Sequence, residues 1–260
     1  MASPVARDLL IGFGAGGLSG AFGVGGGIVL IPLLVLLLHV AQKRAQATSL
    51  VMVALAGAAG SVTYSIAGEV AWIPAAFILI GGLAGSLIGS SLVKRTSDHR
   101  LQIGFGILLI VVAVRLLLPV TTQSNADFAN IGAMAAVGFV FSGLAMGVLS
   151  ALFGVGGGII LIPIIVTVFG FPQQLAAGTS LTVMAPIALL GAWRQSRTGA
   201  TDWRMGLRFG VASIPGSIIG AVVAVSVSGS VLRVLFALLL IGIGLQMARS
   251  GWGNRPATRN

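Results

Sequence analysis

LSGAFGVGGGIVLIPLL, residues Leu18 to Leu34, returns as LSALFGVGGGIILIPII, residues Leu149 to Ile165, 131 positions later. The register holds far beyond this stretch. Pro32 aligns with Pro163, Thr48-Ser49 with Thr179-Ser180, Gly68 with Gly199, and Trp72 with Trp203. Gly85-Ser86-Leu87-Ile88-Gly89 aligns with Gly216-Ser217-Ile218-Ile219-Gly220, again without a gap. Two copies of one hydrophobic unit, each interrupted by glycine, form the sequence pattern of a secondary transporter built from repeats.

Composition puts both copies in a membrane. The chain is 57% hydrophobic and 8% charged, with a mean hydropathy of +1.07, against about 45 to 50% apolar and about 25% charged in soluble domains. Apolar runs of roughly 17 to 25 residues, enough to cross a hydrocarbon core of about 30 Å, recur from end to end, and no stretch reads as a separate soluble domain. One membrane domain, residues 1–260, is expected, with internal repeats at about 5–118 and 130–249. The start, MASPVARDLL, carries little positive charge and runs straight into the repeat, which argues against a cleaved leader. The chain has no cysteine, so disulfides and thiolate metal sites are excluded, and its two histidines, His39 and His99, fall in predicted loops. No metal or other cofactor is implied. The net charge of +10 sits in short loops between spans, without the basic stripe and interleaved aromatics of a nucleic-acid surface.

Apolar runs between polar breaks define, in the first half, a broken segment over Val5–Leu38, then Thr48–Ile66, Trp72–Val93 and Leu101–Leu118; the second half has Asn130–Phe169 (broken), Thr179–Trp193, Met205–Val225 and Leu232–Ala248. If each segment crosses once, nine of the fifteen Lys and Arg fall on one face and six on the other. If each broken segment returns to the face it came from, thirteen collect on one face, leaving only Arg115 and Arg233 opposite. The positive-inside bias selects the second layout. It puts both termini in the cytoplasm and gives each half an odd number of crossings, so the halves are inverted. The expected fold is all-α and transmembrane: two inverted-topology repeats, each a glycine-broken segment followed by three transmembrane helices. Whether a broken segment is re-entrant or crosses twice as a helix pair stays open, although the arm Ile28–Leu38 rises only about 16 Å and reads as a half-helix.

Irregular backbone at membrane depth survives only where protein or a polar cavity surrounds it, so FGVGGG must line something. Each break precedes a short apolar helix whose first amides lack intrahelical partners and whose dipole is positive at that end, the arrangement that binds anions. Gly25, Gly26, Gly27, Gly156, Gly157 and Gly158 are therefore the candidate backbone ligands for a small anionic solute. The hydroxyls of Thr48, Ser49, Thr179 and Ser180, which open the next span of each half, are candidate donors, with helix capping as their alternative role. Arg194, with Gln195 beside it, is the candidate cation, its alternative role being an anchor that snorkels to the interface. The pair aligns with Thr63-Tyr64, so only the second half offers a cation there. The ladder Gly81, Gly85 and Gly89, and its counterpart Ala212, Gly216 and Gly220, reads as helix contact, facing either neighbours in the same chain or a second subunit in a homodimer.

Enzymatic roles find no residues. Every Asp and Glu (Asp8, Glu69, Asp98, Asp127, Asp202) falls at a loop or a span edge, and no nucleophile, base and orienting acid can be grouped. Gly12, Gly14 and Gly17 satisfy G-x-G-x-x-G, but no strand precedes them and no acidic ribose contact follows. A scaffold without a solute path would want smooth spans and a charged tail, which GWGNRPATRN does not resemble.

The paired GVGGG-I-x-x-I-P motifs, the Thr-Ser after each, and the later G-x-x-x-W resemble the sulfite exporter TauE/SafE family of membrane permeases over nearly the whole chain. That resemblance implies about eight spans from a duplicated four-helix unit, a bacterial plasma membrane, and passage of sulfur-containing anions such as sulfite, sulfoacetate or thiosulfate. Helix polarity suggests an anion; the sulfur comes from the resemblance alone, and a carboxylate or halide is the alternative cargo.

Overall fold

A computed structural model describes residues 4–93, 95–117 and 132–253. Lys94, Arg255 and Arg259 of the charge count, together with Asp127, Leu118 and Asn130, lie outside the described residues. The described chain is helical: α1 (Pro4–Phe22), α2 (Gly27–Pro32) continued by a π-helical turn (Leu33–Leu37), α3 (Gln42–Ile66), α4 (Trp72–Val93) and α5 (Asp98–Leu117), then α6 (Ala133–Phe153), α7 (Gly158–Thr167), α8 (Gln173–Ser196), α9 (Trp203–Ser226) and α10 (Gly229–Gly253). Five of these, α3, α4, α6, α8 and α9, are long and apolar enough to cross a membrane.

Each broken segment is a long helix followed by a short one. α1, with 19 residues, spans about 28 Å, whereas α7, with 10, spans about 15 Å. The second helix of each broken segment is too short to cross a hydrocarbon core of about 30 Å. The halves differ after the proline: the first short helix widens into a π turn beyond Pro32, while the second stays α-helical past Pro163 to Thr167. A proline cannot supply the N–H that the preceding turn needs. The Thr167 hydroxyl donates back to the Pro163 carbonyl at 2.6 Å.

α3 and α8 begin earlier than their apolar runs suggest, at Gln42 and Gln173. Thr48-Ser49 and Thr179-Ser180 therefore lie well inside helices and cap neither. Both helices end in the same way, on a left-handed glycine, Gly68 at φ 76° and Gly199 at φ 71°. The following amides, of Glu69 and Ala200, donate back to Tyr64 and Gln195 carbonyls. Glycine adopts this conformation without the Cβ penalty, and the chain turns directly into α4 and α9.

Helix partners are exchanged between the halves. α1 packs along α9 and α4 along α6, α3 packs on both α8 and α9, α8 on α4, and α5 on α10. A shift by one repeat converts each of these pairs into another, or into itself. The small-residue ladders make the closest of these approaches. Gly12, Gly16 and Gly20 meet Phe209, Ser213 and Ser217 in turn, so α1 and α9 run parallel. Gly81, Gly85 and Gly89 meet Val140, Leu144 and Val148, so α4 and α6 run parallel too. The ladders are thus consumed within the chain. Gly57 and Gly60 of α3 face Ala185 and Leu181 of α8, and Gly191 of α8 faces Leu50; these two equivalent helices run antiparallel.

Candidate functional site

The two glycine breaks lie against one another, and every residue from Phe22 to Ile28 and from Gly154 to Ile160 is buried. α1 ends on Gly23 and α6 on Gly154, at φ 73° and 70°; Gly25 and Gly156 follow at 84° and 89°, and the N-caps Gly26 and Gly157 at 61° and 81°. A Cβ on Gly27 would fall 2.7 Å from the Gly154 carbonyl oxygen, and one on Gly158 would fall 2.5 Å from that of Gly23. Each half-helix therefore starts against the end of the other half's long helix. The side chain of Met184 lies against both breaks, since a Cβ on Gly25 or on Gly156 would approach it under 3.0 Å. Met52 crowds Gly26, and Met146 crowds Gly157. Flexible thioethers thus fill the space next to the glycines.

Neither half-helix has a side-chain cap: no hydroxyl or carboxylate reaches the amides after Gly26 or Gly157. The breaks are closed by backbone bonds, Leu30 N–H to Gly26 and Leu161 N–H to Gly157 among them. The amides of Ile28 and Ile159 enter none of those bonds among the described residues, as first-turn amides ordinarily do not.

The hydroxyl pairs hold this core together, in matching bonds. Ser49 Oγ donates to the carbonyls of Gly154 and, at 3.0 Å, Gln46. Ser180 Oγ donates to the Gly23 carbonyl at 2.8 Å. Thr48 Oγ1 accepts from the Asp202 amide at 3.1 Å, and Thr179 Oγ1 from the Ala71 amide at 3.0 Å. Each serine thus ties down the left-handed end of the other half's long helix. Each threonine secures the loop before α9 or α4. Spacing alone cannot reveal this role, because the partners are more than 100 residues away.

Arg194 and Gln195 separate in space. Gln195 Nε2 donates to the Ala151 carbonyl at 3.1 Å, three residues before Gly154. The counterpart bond runs from Tyr64 Oη to the Gly20 carbonyl at 3.0 Å. Gln195 also lines a cavity of about 300 Å³ with Lys43, Ser90, Val93, Thr198 and Ala200. Arg194 does not line that cavity, and its buried Nε has no partner. Lys43, Ser90 and Thr198 escape a sequence search because a lysine in a loop-proximal basic run reads as topology.

Among the described residues the acidic groups sit at or near helix ends. Asp8 is buried in the second turn of α1, between Arg7 at 3.4 Å and Arg208 at 4.0 Å. Asp202 caps α9, accepting from the Met205 amide at 3.0 Å and pairing with Arg44 at 2.9 Å. The amide bond first, and the guanidinium second, hold its carboxyl below the usual carboxylate range. Burial pushes Glu69, in the loop before α4, up. Among the described residues no cluster of His, Cys, Asp and Glu could hold a metal ion.

An all-helical chain with several membrane-length spans, in which two glycine-broken segments from matched halves meet inside the protein, is a multi-pass membrane protein of the transporter class. The family model for Sulfite exporter TauE/SafE matches residues 2–116 and 139–260, and the chain belongs to that family. Similar proteins include a "Probable membrane transporter protein" of Xylella fastidiosa (strain Temecula1 / ATCC 700964), 26% identical over 96% of this chain and 99% of its own length. Another is "Probable membrane transporter protein YunE" of Bacillus subtilis (strain 168), 26% identical over 94% and 97%. A third, "Probable membrane transporter protein MJ0441" of Methanocaldococcus jannaschii, is 29% identical over 43% of this chain and 44% of its own. No solved structure matches.

Proposed function

We propose that the chain carries small anions, sulfur oxyanions or organosulfonates such as sulfite or sulfoacetate, across the bacterial inner membrane as one transport domain. The observation that carries the reading is the meeting of two buried glycine breaks, each at the uncapped N-terminus of a half-helix. Two partial positive ends are thereby brought to one place in a low-dielectric interior, where a few aligned amides attract an anion strongly. The anion contacts Gly25 to Gly27 and Gly156 to Gly158 once the thioethers of Met52, Met146 and Met184 draw aside. Thr48, Ser49, Thr179 and Ser180 shape this site through the backbone they hold, and Arg194 contributes long-range positive potential.

The halves act as inverted-topology repeats. Support comes from the antiparallel course of the equivalent helices α3 and α8, and from the charge asymmetry that puts both termini in the cytoplasm. Relative motion of the repeats then exposes the shared site to each face in turn. The preference for sulfur rests on membership of the family.

Uptake into proteoliposomes, run in competition with sulfite, sulfoacetate, thiosulfate, acetate and chloride, tests the reading. Sulfur anions are expected to move and to compete with one another. Movement of acetate or chloride without them transfers the site to another anion class. Movement of none of the five removes the anion-transport reading.

A further inference from the structure

The repeat makes the cavity beside Gln195 informative, because each of its polar residues has a counterpart at the opposite end of the molecule. Lys43, Ser90, Gln195 and Thr198 correspond to Gln174, Ala221, Tyr64 and Ala67. At that opposite end Gln174 Nε2 is bonded to the Val227 carbonyl at 3.1 Å, and Tyr64, fully buried, is bonded to the Gly20 carbonyl. Two of the four positions are alanine, and a third is the fully buried ring of Tyr64. At the Gln195 end the same positions enclose a cavity of about 300 Å³ between the start of α3, the end of α4, and the end of α8 with its following loop.

The groups on its wall are specific about what they accept. Gln195 is 4% exposed, and its Nε2 donates to the Ala151 carbonyl. A carbonyl oxygen can only accept, so the amide cannot flip, and Oε1, buried and without a partner, is the amide atom still able to accept a hydrogen bond. The Ser90 hydroxyl donates to the Ser86 carbonyl at 2.7 Å and that of Thr198 to the Gln195 carbonyl at 2.8 Å, so both present lone pairs in this arrangement. Lys43 alone brings charge and protons. One turn further along α3, Gln46 is fully buried with neither amide atom partnered, and Gly154 packs on its backbone. Unpartnered polar groups therefore lead from the cavity toward the second glycine break. Leaving such groups buried costs free energy unless a ligand or water meets them.

We propose that this cavity is a one-sided subsite for a small monoanion that carries a protonated oxygen, with Lys43 binding the charge and Gln195 Oε1 accepting the proton's hydrogen bond. The inference rests on the reading that the chain carries small anions, and it adds both an end and a protonation state. A fully deprotonated dianion turns lone pairs toward Oε1 and binds this subsite more weakly. A monoanion with a hydroxyl satisfies the amide and the ammonium together. At the opposite end the buried Tyr64 and two alanines stand in place of these groups, so the two directions of transport meet different first contacts.

Binding to the full chain in detergent, separate from transport, tests this with sulfite on either side of its second ionisation and with methanesulfonate, which is ionised but has no hydroxyl. Wild type should bind sulfite more tightly in its protonated form, and methanesulfonate roughly tenfold more weakly, the scale of one lost hydrogen bond to a charged ligand. Lys43→Gln should weaken every anion roughly tenfold or more, with Lys43→Arg restoring it. Gln195→Met should erase the difference between sulfite and methanesulfonate. Arg204→Gln, an exposed basic residue outside the cavity, is the control and should change nothing. Lys43→Gln leaving all affinities intact, or a sulfite affinity indifferent to protonation, overturns the subsite even if transport proceeds. Binding that follows this pattern in a protein that moves no anion keeps the subsite and sinks the transport reading.

Discussion

Replacing Gly26 with alanine separates two costs that the structure imposes on a glycine break. Gly26 sits at φ 61°, where a side chain costs about 1 to 2 kcal/mol because Cβ approaches the following carbonyl. Its Cβ would also fall under 3.0 Å from two neighbours, Met52 Cε and the Ala15 carbonyl oxygen. The thioether can swing away; the carbonyl belongs to α1 and cannot move without the helix. Overpacking of that kind costs about 1 to 3 kcal/mol, so the sum is about 2 to 5 kcal/mol, a large part of a typical folding free energy of about 5 to 15 kcal/mol. Three further glycines supply the parts. Gly68→Ala, at φ 76° with open space around it, carries strain alone, about 1 to 2 kcal/mol. Gly12→Ala, inside α1 with Phe209 backbone atoms at 2.5 and 2.9 Å, carries crowding alone. Gly14→Ala, helical with nothing within 4 Å, should be neutral or gain up to about 1 kcal/mol of helix propensity. Reversible unfolding of the four variants in one detergent ranks them Gly26, then Gly12 and Gly68, then Gly14. Gly26→Ala as stable as Gly14→Ala would mean that the breaks are not packed as described.

The serine ties are open to the same assay. Ser49→Ala and Ser180→Ala each remove a bond to a buried helix-end carbonyl, and each should cost about 1 to 3 kcal/mol; no loss in either removes their role as clamps on the breaks. Tyr64→Phe keeps the ring but leaves the Gly20 carbonyl without its donor, for an expected loss of about 1 kcal/mol, whereas an unchanged midpoint would show that another donor has taken over. Asp202 provides a pH test. Its folded-state ionisation is depressed, so its contribution is fully present above the ordinary carboxylate range and is lost as pH falls through the depressed value. Asp202→Asn keeps a good N-cap and should flatten that acid limb of the stability profile; an identical limb in both proteins assigns the acid sensitivity elsewhere.

Much of the architecture is legible in the sequence. The positions of the breaks follow from the two GVGGG copies, and the half-helix after each follows from the length of the apolar run. The ladder at Gly81, Gly85 and Gly89 was recognisable as helix contact, though its partner, α6 of the same chain, was not. The Thr-Ser pairs were recognisable as matched but misplaced at helix starts, because polar Gln42 to Gln46 and Gln173-Gln174 look like loop until neighbours bury them. Arg194 and Gln195 read as one unit because they are adjacent in sequence. On a helix, adjacent residues point about 100° apart, and only Gln195 faces the cavity.

By itself the chain determined its repeat, its helices, its membrane character and its family, since these depend on composition, local propensity and spacing within one segment. Tertiary structure alone decided that each serine reaches the other half's break, that α1 lies along α9, and that Lys43 shares a cavity with Gln195. Those contacts join residues more than 100 positions apart, and their energy depends on burial and hydrogen-bond geometry, which exist only after the helices have packed.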